Sequence, residues 1–202
     1  VRGEKSRLTP PVTRLSAASP NPTPTKPPSI GPRPRRWAAN APAALHSGAL
    51  KTRYHGDYHL GQVLVTGNDF VIIDFEGEPG RSFEERRAKG PALRDVAGML
   101  RSFNYARWAA LKHASQSTEE LLRLDAAVQQ WEQATRTAFL EAYASASPGA
   151  SEAEREGAQA LLRLFEMEKA LYELRYELNN RADWVQVPLQ GLLAFIGAAG
   201  AS

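Results

Sequence analysis

The sequence of 202 residues contains no cysteine. This absence excludes a disulfide framework, a thiolate metal site and a cysteine nucleophile. Long apolar runs are also lacking, since none approaches the roughly 20 residues that a helix needs to cross a bilayer. The N-terminus has no short apolar segment of the kind found in secretory signals. We therefore expect a soluble, unexported, cytoplasmic protein.

Acidic residues are almost missing from the first 50 positions, where Glu4 stands against eight Lys or Arg. The net charge is +3, so a balance of +7 in this segment leaves −4 for residues 51–202. A basic segment can bind nucleic acid, but this one lacks the interleaved aromatics or helical face that would follow a groove. We expect neither a nucleic-acid partner nor a membrane partner.

Ten of the 14 prolines also lie in the first 50 residues, with one aromatic residue and no apolar periodicity. Such a segment cannot bury enough surface to fold. The composition predicts a disordered segment over residues 1–42, although foreign or out-of-frame sequence would look the same. The remainder, residues 43–202, is long and apolar enough for one folded domain.

The remainder predicts an α+β fold that is mostly helical. Residues 63–65 and 70–74 flank Thr66-Gly67-Asn68-Asp69, which predicts a hairpin whose second strand ends at Asp74. A loop should follow over residues 75–90. Apolar periodicity and capping pairs then predict four helices: from Leu93 to about Lys112, from Ser117 with Glu120, from Ser151 with Glu154 to about Asn180, and from Trp184 to about Ala198. In the third, the expected core stripe is Leu161, Leu164, Leu171, Leu174 and Leu178.

The stretch His55-Gly56-Asp57-Tyr58-His59-Leu60-Gly61-Gln62 carries the chemistry, together with Asp74-Phe75-Glu76. Phosphoryl transfer needs a carboxylate that accepts the acceptor's proton and hard oxygen ligands for a metal. A tight hairpin would bring Asp74 back beside Gln62 as a pair of such ligands for Mg²⁺. Glu76 is a further candidate.

This stretch resembles the catalytic and metal loops of the aminoglycoside-phosphotransferase-like kinases, whose usual pattern is H-G-D-x-H-x-x-N. The sequence departs from that pattern with Gln62 in place of Asn and with Asp74-Phe75-Glu76 as the metal triplet. Read whole, residues 54–62, 91–103 and 172–181 resemble the maltokinase branch, which is often fused behind trehalose synthase. The resemblance covers about residues 45–196.

The resemblance implies the C-terminal lobe of a protein-kinase-like fold that phosphorylates maltose or a related sugar with ATP and Mg²⁺. By the same resemblance Asp57 is the catalytic base, Gln62 and Asp74 bind the metal with help from Glu76, and two histidines, His55 and His59, brace the loop. It also implies an N-terminal lobe that residues 1–50 do not contain. We therefore expect a C-terminal fragment, partnered by a missing lobe or by trehalose synthase.

Sugar-binding residues are expected on the third helix, where Tyr172, Arg175 and Tyr176 share a face, with Tyr105 as a further candidate. Core-edge tyrosines would show the same spacing. An Asp flanked by two His also occurs in zinc sites, and Asp74 also fits a simple turn. An inactive binding remnant and a related kinase with another acceptor remain alternatives.

Overall fold

The computed structural model describes residues 51–114, 117–146 and 152–199. The predicted disordered segment at 1–42, the boundary near residue 43 and the cap at Ser151 lie outside these residues. Within them the chain is mostly helical with two small antiparallel sheets, which agrees with the α+β class. The elements are β1 (Lys51–Thr52), β2 (Val63–Thr66), β3 (Asp69–Ile72), α1 (Phe83–Arg87), β4 (Gly90–Pro91), α2 (Leu93–Ala114), α3 (Thr118–Ser145), α4 (Glu152–Asn180) and α5 (Gln186–Ala199). None of these helices is long and apolar enough to cross a membrane.

The hairpin forms as predicted, with Val63 opposite Ile72 and Thr66 opposite Asp69. Gly67 occupies the turn with a φ of 60°, a conformation that costs glycine little. The predicted strand end at Asp74 was wrong, because β3 ends at Ile72. The Ile73 amide still donates to the Gln62 carbonyl at 3.0 Å, and the chain then leaves extended geometry at Asp74, which has a φ of 65°.

The segment predicted as a loop over residues 75–90 contains the short helix α1. Its start is fixed by a capping box, in which the Ser82 hydroxyl accepts from the Glu85 amide and the Glu85 carboxylate accepts from the Ser82 amide. Strand β4 follows and pairs antiparallel with β1, so that Lys51 lies opposite Pro91. The β1–β4 pairing therefore joins the two ends of the stretch 51–91.

Helix α2 carries the centre of the core, as its periodicity predicted. Val96, Met99, Leu100 and Phe103 are buried together, and Leu100 is fully inaccessible. Against this cluster pack half-buried residues of the segment before the hairpin, β2, the start of α2, α3 and α4: Tyr58, Leu60, Val63, Leu93, Phe139, Leu140, Tyr143 and Leu162. The core therefore joins the helices directly to the loop that carries Asp57.

The core stripe predicted for α4 was partly wrong, because Leu171 and Leu178 are 51% and 64% exposed. Glu173 and Glu177 are buried on this helix instead. Arg101 pairs with Glu173 at 2.7 Å and Arg181 with Glu177 at 2.6 Å. Paired carboxylates can be buried where isolated ones cannot, so the inward face of α4 includes these two glutamates, while Leu161, Leu164 and Leu174 are half-buried.

Candidate active site

The loop of residues 55–59, here called the Asp57 loop, is fastened to the start of α2. The Asp95 carboxylate accepts hydrogen bonds from the amides of His55 (2.6 Å) and Gly56 (2.9 Å). Hydrogen bonds to a charged acceptor are stronger than neutral ones. One side chain in the first turn of a core helix thus holds two consecutive backbone groups of the loop.

The His55 side chain is buried and connects the Asp57 loop to the end of the hairpin. Its Nδ1 accepts from the Asp57 amide at 3.3 Å, so its Nε2 carries the proton and donates to the Ile73 carbonyl at 2.8 Å. The ring also lies 4.7 Å from the ring of Phe75. This arrangement fits the loop-supporting role predicted for His55.

Two glycines allow backbone segments to approach where any side chain would collide. Gly56 has a φ of 86°, and a Cβ there would lie 3.0 Å from the Cα of Gly77. A Cβ on Gly98 would lie 2.6 Å from the Tyr58 carbonyl oxygen. The Asp57 loop is therefore pressed between α2 and the chain that follows Asp74.

The Asp57 carboxylate is partly buried and has a cation beside it. Lys169 on α4 donates to Asp57 Oδ1 at 3.2 Å and to Glu78 Oε1 at 2.5 Å. Burial of the ammonium would lower the pKa of Lys169, but the two carboxylates outweigh burial and raise that pKa above its ordinary value. Lys169 is therefore a permanent positive charge at this site.

His59 approaches the other oxygen of the same carboxylate. Its Nδ1 accepts from the Gly61 amide at 3.0 Å, and its Nε2 lies 3.9 Å from Asp57 Oδ2. Burial lowers the pKa of His59 below its ordinary value, although Asp57 acts in the opposite direction. The ring is thus neutral at pH 7, with its Nε2 proton on the side of Asp57.

Gln62 and Asp74 lie side by side, as the hairpin predicted, with the Gln62 amide donating to Asp74 Oδ2 at 3.1 Å. Both side chains are accessible, and the left-handed conformation of Asp74 belongs to a sparsely populated region that is enriched at functional sites. Glu76 is also exposed, and Arg86 donates to its carbonyl oxygen. The structure therefore brings Gln62 and Asp74 together, whereas Glu76 lies two residues further along the chain.

A magnesium ion fits this donor set. The described residues contain no group of three or more His, Asp or Glu side chains that would hold a metal by themselves. Magnesium in phosphotransfer sites is held by one or two protein oxygens together with substrate phosphates and water. The Gln62 amide and the Asp74 carboxylate, which flank the two strands at the open end of the hairpin, match that requirement.

The predicted sugar-binding residues fall in two places. Tyr172 lines the cavity that also holds Asp57, Glu78 and Lys169, and burial raises its pKa to about 12. Tyr105 lies elsewhere, where its hydroxyl donates to Glu177 at 3.0 Å and its ring stacks on Trp184. Tyr176 lies beneath the Arg181 guanidinium, and Arg175 is exposed. The structure therefore brings only Tyr172 of the four to the cavity that Asp57 lines.

Three residues of the site had no predicted role: Asp95, Glu78 and Lys169. Asp95 carries a weak signal, because an acid in the first turn of a helix often binds backbone amides. Lys169 carries none, since it lies 112 residues from Asp57 in a helix rich in charges. Glu78 is an acid in a loop, yet its side chain is only 3% exposed. A buried charge of this kind is recognised only in the folded structure.

Comparison with known proteins shows similarity to glucosamine kinases. No family model matches the chain. It is 31% identical over 147 residues, 70% of its length, to the glucosamine kinase of Mycolicibacterium smegmatis. It is 28% identical over 163 residues, 78% of its length, to the glucosamine kinase of Streptacidiphilus jiangxiensis. Both relatives are sugar kinases, and neither similarity is to a maltokinase.

The chain is also similar in fold to solved structures of glucosamine kinases. A glucosamine kinase in its crystal form B superposes with a TM-score of 0.64 at 25% identity, covering 80% of this chain and 38% of that one. A glucosamine kinase in complex with glucosamine, ADP and inorganic phosphate superposes with a TM-score of 0.54 at 25% identity, covering 69% and 32%. The chain spans about a third of the length of the curated relatives it matches, 34% and 36%.

Proposed function

We propose that this chain carries the part of an ATP-dependent sugar kinase that activates the acceptor hydroxyl and binds the metal. The observation that carries the proposal is one juxtaposition: Asp57 lies on a loop that the His55 side chain ties to Ile73, next to the Gln62–Asp74 pair. Phosphoryl transfer needs a base and a metal site at a fixed separation. Similarity to glucosamine kinases supports the same reaction.

Each residue has one task in the proposed reaction. Asp57 accepts the proton of the sugar hydroxyl as the bond from that oxygen to phosphorus forms. Gln62 and Asp74 hold Mg²⁺, with Glu76 beside them. When bound, the ion supplies positive charge that offsets the charge of the transferring phosphate. His55 and His59 hold the loop in register, and Tyr172 is the side chain best placed to contact the sugar.

Two acceptors are candidates. Glucosamine is favoured by the relatives, which are glucosamine kinases. Maltose is favoured by the motifs at residues 54–62 and 172–181, which resemble maltokinase. Four carboxylates line the cavity against three cations, and this small acidic excess suits a cationic amino sugar. The carboxylates are those of Asp57, Glu78, Asp95 and Glu168, and the cations are Arg81, Arg94 and Lys169. We place glucosamine first.

The proposed kinase also needs groups that hold the α and β phosphates of ATP. The matched segment is about a third of each relative, which supports the proposal that a further lobe supplies these groups. That lobe, or a fused trehalose synthase, is the proposed partner. A part that binds sugar without transferring phosphate, or one that acts on another small alcohol, is the competing possibility.

The test is a phosphotransfer assay of the full chain with ATP and MgCl₂ against glucosamine, N-acetylglucosamine, maltose, glucose and choline. Release of ADP that depends on one sugar supports the proposal and identifies the acceptor. Turnover of choline alone would replace the sugar by another alcohol.

A second arm covers the case in which the full chain shows no turnover. Residues 51–199 replace the matched segment of the Mycolicibacterium smegmatis glucosamine kinase, which then supplies the rest of the enzyme. The control chimaera carries the same segment with Asp57→Asn. A folded chimaera that phosphorylates no sugar would overturn the proposed function, whereas activity that is lost with Asp57→Asn supports it.

A further inference from the structure

The ammonium of Lys169 contacts one oxygen of the proposed base and leaves the other free. We propose that Lys169 is the positioning residue of this site: it fixes Asp57 by Oδ1, so that Oδ2 is the oxygen that takes the acceptor's proton. The identity of Asp57 as the base rests on the proposed function. The fixing of the Asp57 side chain by Lys169 does not.

The two oxygens of Asp57 have different surroundings. Oδ1 accepts a charge-assisted hydrogen bond from Lys169 at 3.2 Å. Oδ2 faces the neutral ring of His59 at 3.9 Å, beyond hydrogen-bonding distance. An acceptor hydroxyl that enters the cavity therefore meets one engaged and one unengaged oxygen.

Lys169 is itself held on three sides, which makes it a rigid support. Its ammonium donates to Glu78 at 2.5 Å and lies 5.0 Å from the centre of the Tyr172 ring. Glu78 accepts in turn from Arg81 at 3.0 Å. Arg81 and Arg94 both donate to Glu168, at 3.2 and 3.1 Å.

These contacts form one chain of alternating charges that runs from the Asp57 loop to the start of α2. We call it the ion-pair chain, and in order it consists of Asp57, Lys169, Glu78, Arg81, Glu168 and Arg94. Its members come from the Asp57 loop, the segment after the hairpin, α4 and α2. The position of the Asp57 carboxylate therefore depends on the packing of the helices as well as on its own loop.

The geometry determines which atom receives the proton. As the sugar oxygen bonds to the γ-phosphorus, the bond from that phosphorus to the β–γ bridging oxygen breaks and ADP leaves. The hydroxyl proton passes to Asp57 Oδ2 and from there to water. Lys169 keeps its own protons throughout, because its raised pKa holds it charged.

The first test is kinetic and uses the active form from the sugar assay. Lys169→Met should lower kcat by about 10- to 100-fold with KM within about threefold, since misplacing a reacting group by an ångström costs this much. Lys169→Arg should recover part of kcat, because it restores a cation beside Oδ1. The control is Lys112→Met, which removes a similar lysine from an exposed ion pair with Asp183. Unchanged kcat in Lys169→Met would overturn the proposal.

Removing Lys169 leaves the buried Glu78 with Arg81 as its remaining partner among the described residues, and the loss of one cation from a buried ion pair can by itself destabilise a protein. The double variant Lys169→Met with Glu78→Gln avoids this, because it removes both charges together. Its kcat should fall as in the single variant while its melting temperature stays near that of the wild type. A double variant with wild-type kcat would count against positioning by Lys169.

The second test needs no turnover and separates this proposal from the proposed function. Three-bond couplings in the labelled full chain report χ1 of Asp57. We expect one fixed rotamer in the wild type and in Lys112→Met, and averaging among rotamers in the Lys169 variants. A single unchanged rotamer in the Lys169 variants would overturn the positioning role. A fixed wild-type rotamer without any sugar phosphorylation would instead contradict the proposed function. The positioning role of Lys169 would then still hold.

Discussion

The side-chain amide of Gln62 donates its hydrogen bond to Asp74, with 3.1 Å between Nε2 and Oδ2. In this arrangement the amide presents nitrogen to the carboxylate. A cation held by both side chains needs the amide oxygen instead, so binding turns the amide over. In the proposed metal site, this hydrogen bond must therefore break before the ion can bind both side chains.

Asp74→Asn should weaken metal binding by at least about tenfold, because it removes the charged ligand. Manganese, titrated into the full chain and followed by electron paramagnetic resonance of the free ion, gives the affinity directly. The control is Asp69→Asn at the other end of β3, where the Asp69 carboxylate accepts from the Phe70 amide. Equal affinities in the two variants would remove Asp74 from the metal site.

Asp57→Asn should lower kcat by about 10²- to 10⁴-fold, the range expected for loss of a general base. The amide oxygen still accepts from Lys169, so the loop should keep its position and KM should change little. Steady-state kinetics of the active form measure both constants. Asp183→Asn, at an exposed aspartate, is the matched control. Turnover close to wild type in Asp57→Asn would exclude it as the base.

His59 should make stability depend on pH. Its folded-state pKa is lowered, so the stability it contributes is present above its ordinary value of 6.5 and is lost as pH falls below that value. Urea unfolding between pH 7.5 and 5 should show this loss in the wild type. His59→Asn keeps an acceptor for the Gly61 amide without a titrating ring, and its curve should be flatter over the same range. Parallel curves would show that His59 is not the cause.

Gly98→Ala should destabilise the protein although alanine favours helices. The gain in helix propensity is about 1 kcal/mol, but the new Cβ would lie 2.6 Å from the Tyr58 carbonyl oxygen. Backbone on both sides must move, at a net cost of about 1–3 kcal/mol. Chemical unfolding measures this, with Ala110→Ser on the exposed side of α2 as the control. A stabilised Gly98→Ala variant would show that the loop does not rest on α2.

Arg101→Met should destabilise by about 3–5 kcal/mol, since it leaves Glu173 buried without its cation. Burial raises the pKa of Glu173 even with Arg101 beside it. A raised folded-state pKa means that stability is lost as pH rises above the ordinary value of 4.5. The variant should therefore be less destabilised at pH 4 than at pH 7 in parallel unfolding experiments. An equal difference at both values would assign the effect to lost packing instead.

The sequence predicted those parts of the fold whose causes are local. Gly67 and Asn68 between two apolar runs suffice for a hairpin, and the hairpin alone brings Gln62 next to Asp74. The helical spacing of the apolar residues in α2 was likewise enough to predict which face of this helix is buried. Helix α1 carried a capping box of the same kind as the longer helices, so its signal was present and was passed over.

Two features of α4 depend on contacts between distant residues, which no pattern within the helix reveals. Glu173 is paired with Arg101, 72 residues away, and Lys169 donates to Asp57, 112 residues away. Glu177 pairs instead with Arg181, only four residues along the chain, so that signal was local. The roles of the site residues, the maltose acceptor and the boundary near residue 43 stay predictions.

The ion-pair chain also constrains which substitutions this protein can accept in evolution. Loss of an inner member such as Lys169 leaves Glu78, which is 91 residues away in the chain, charged and without its closest partner. A lineage that loses one of the two is penalised until the other changes as well. Positions 78 and 169 should therefore be inherited as a unit, so that sequences lacking the lysine also lack the glutamate.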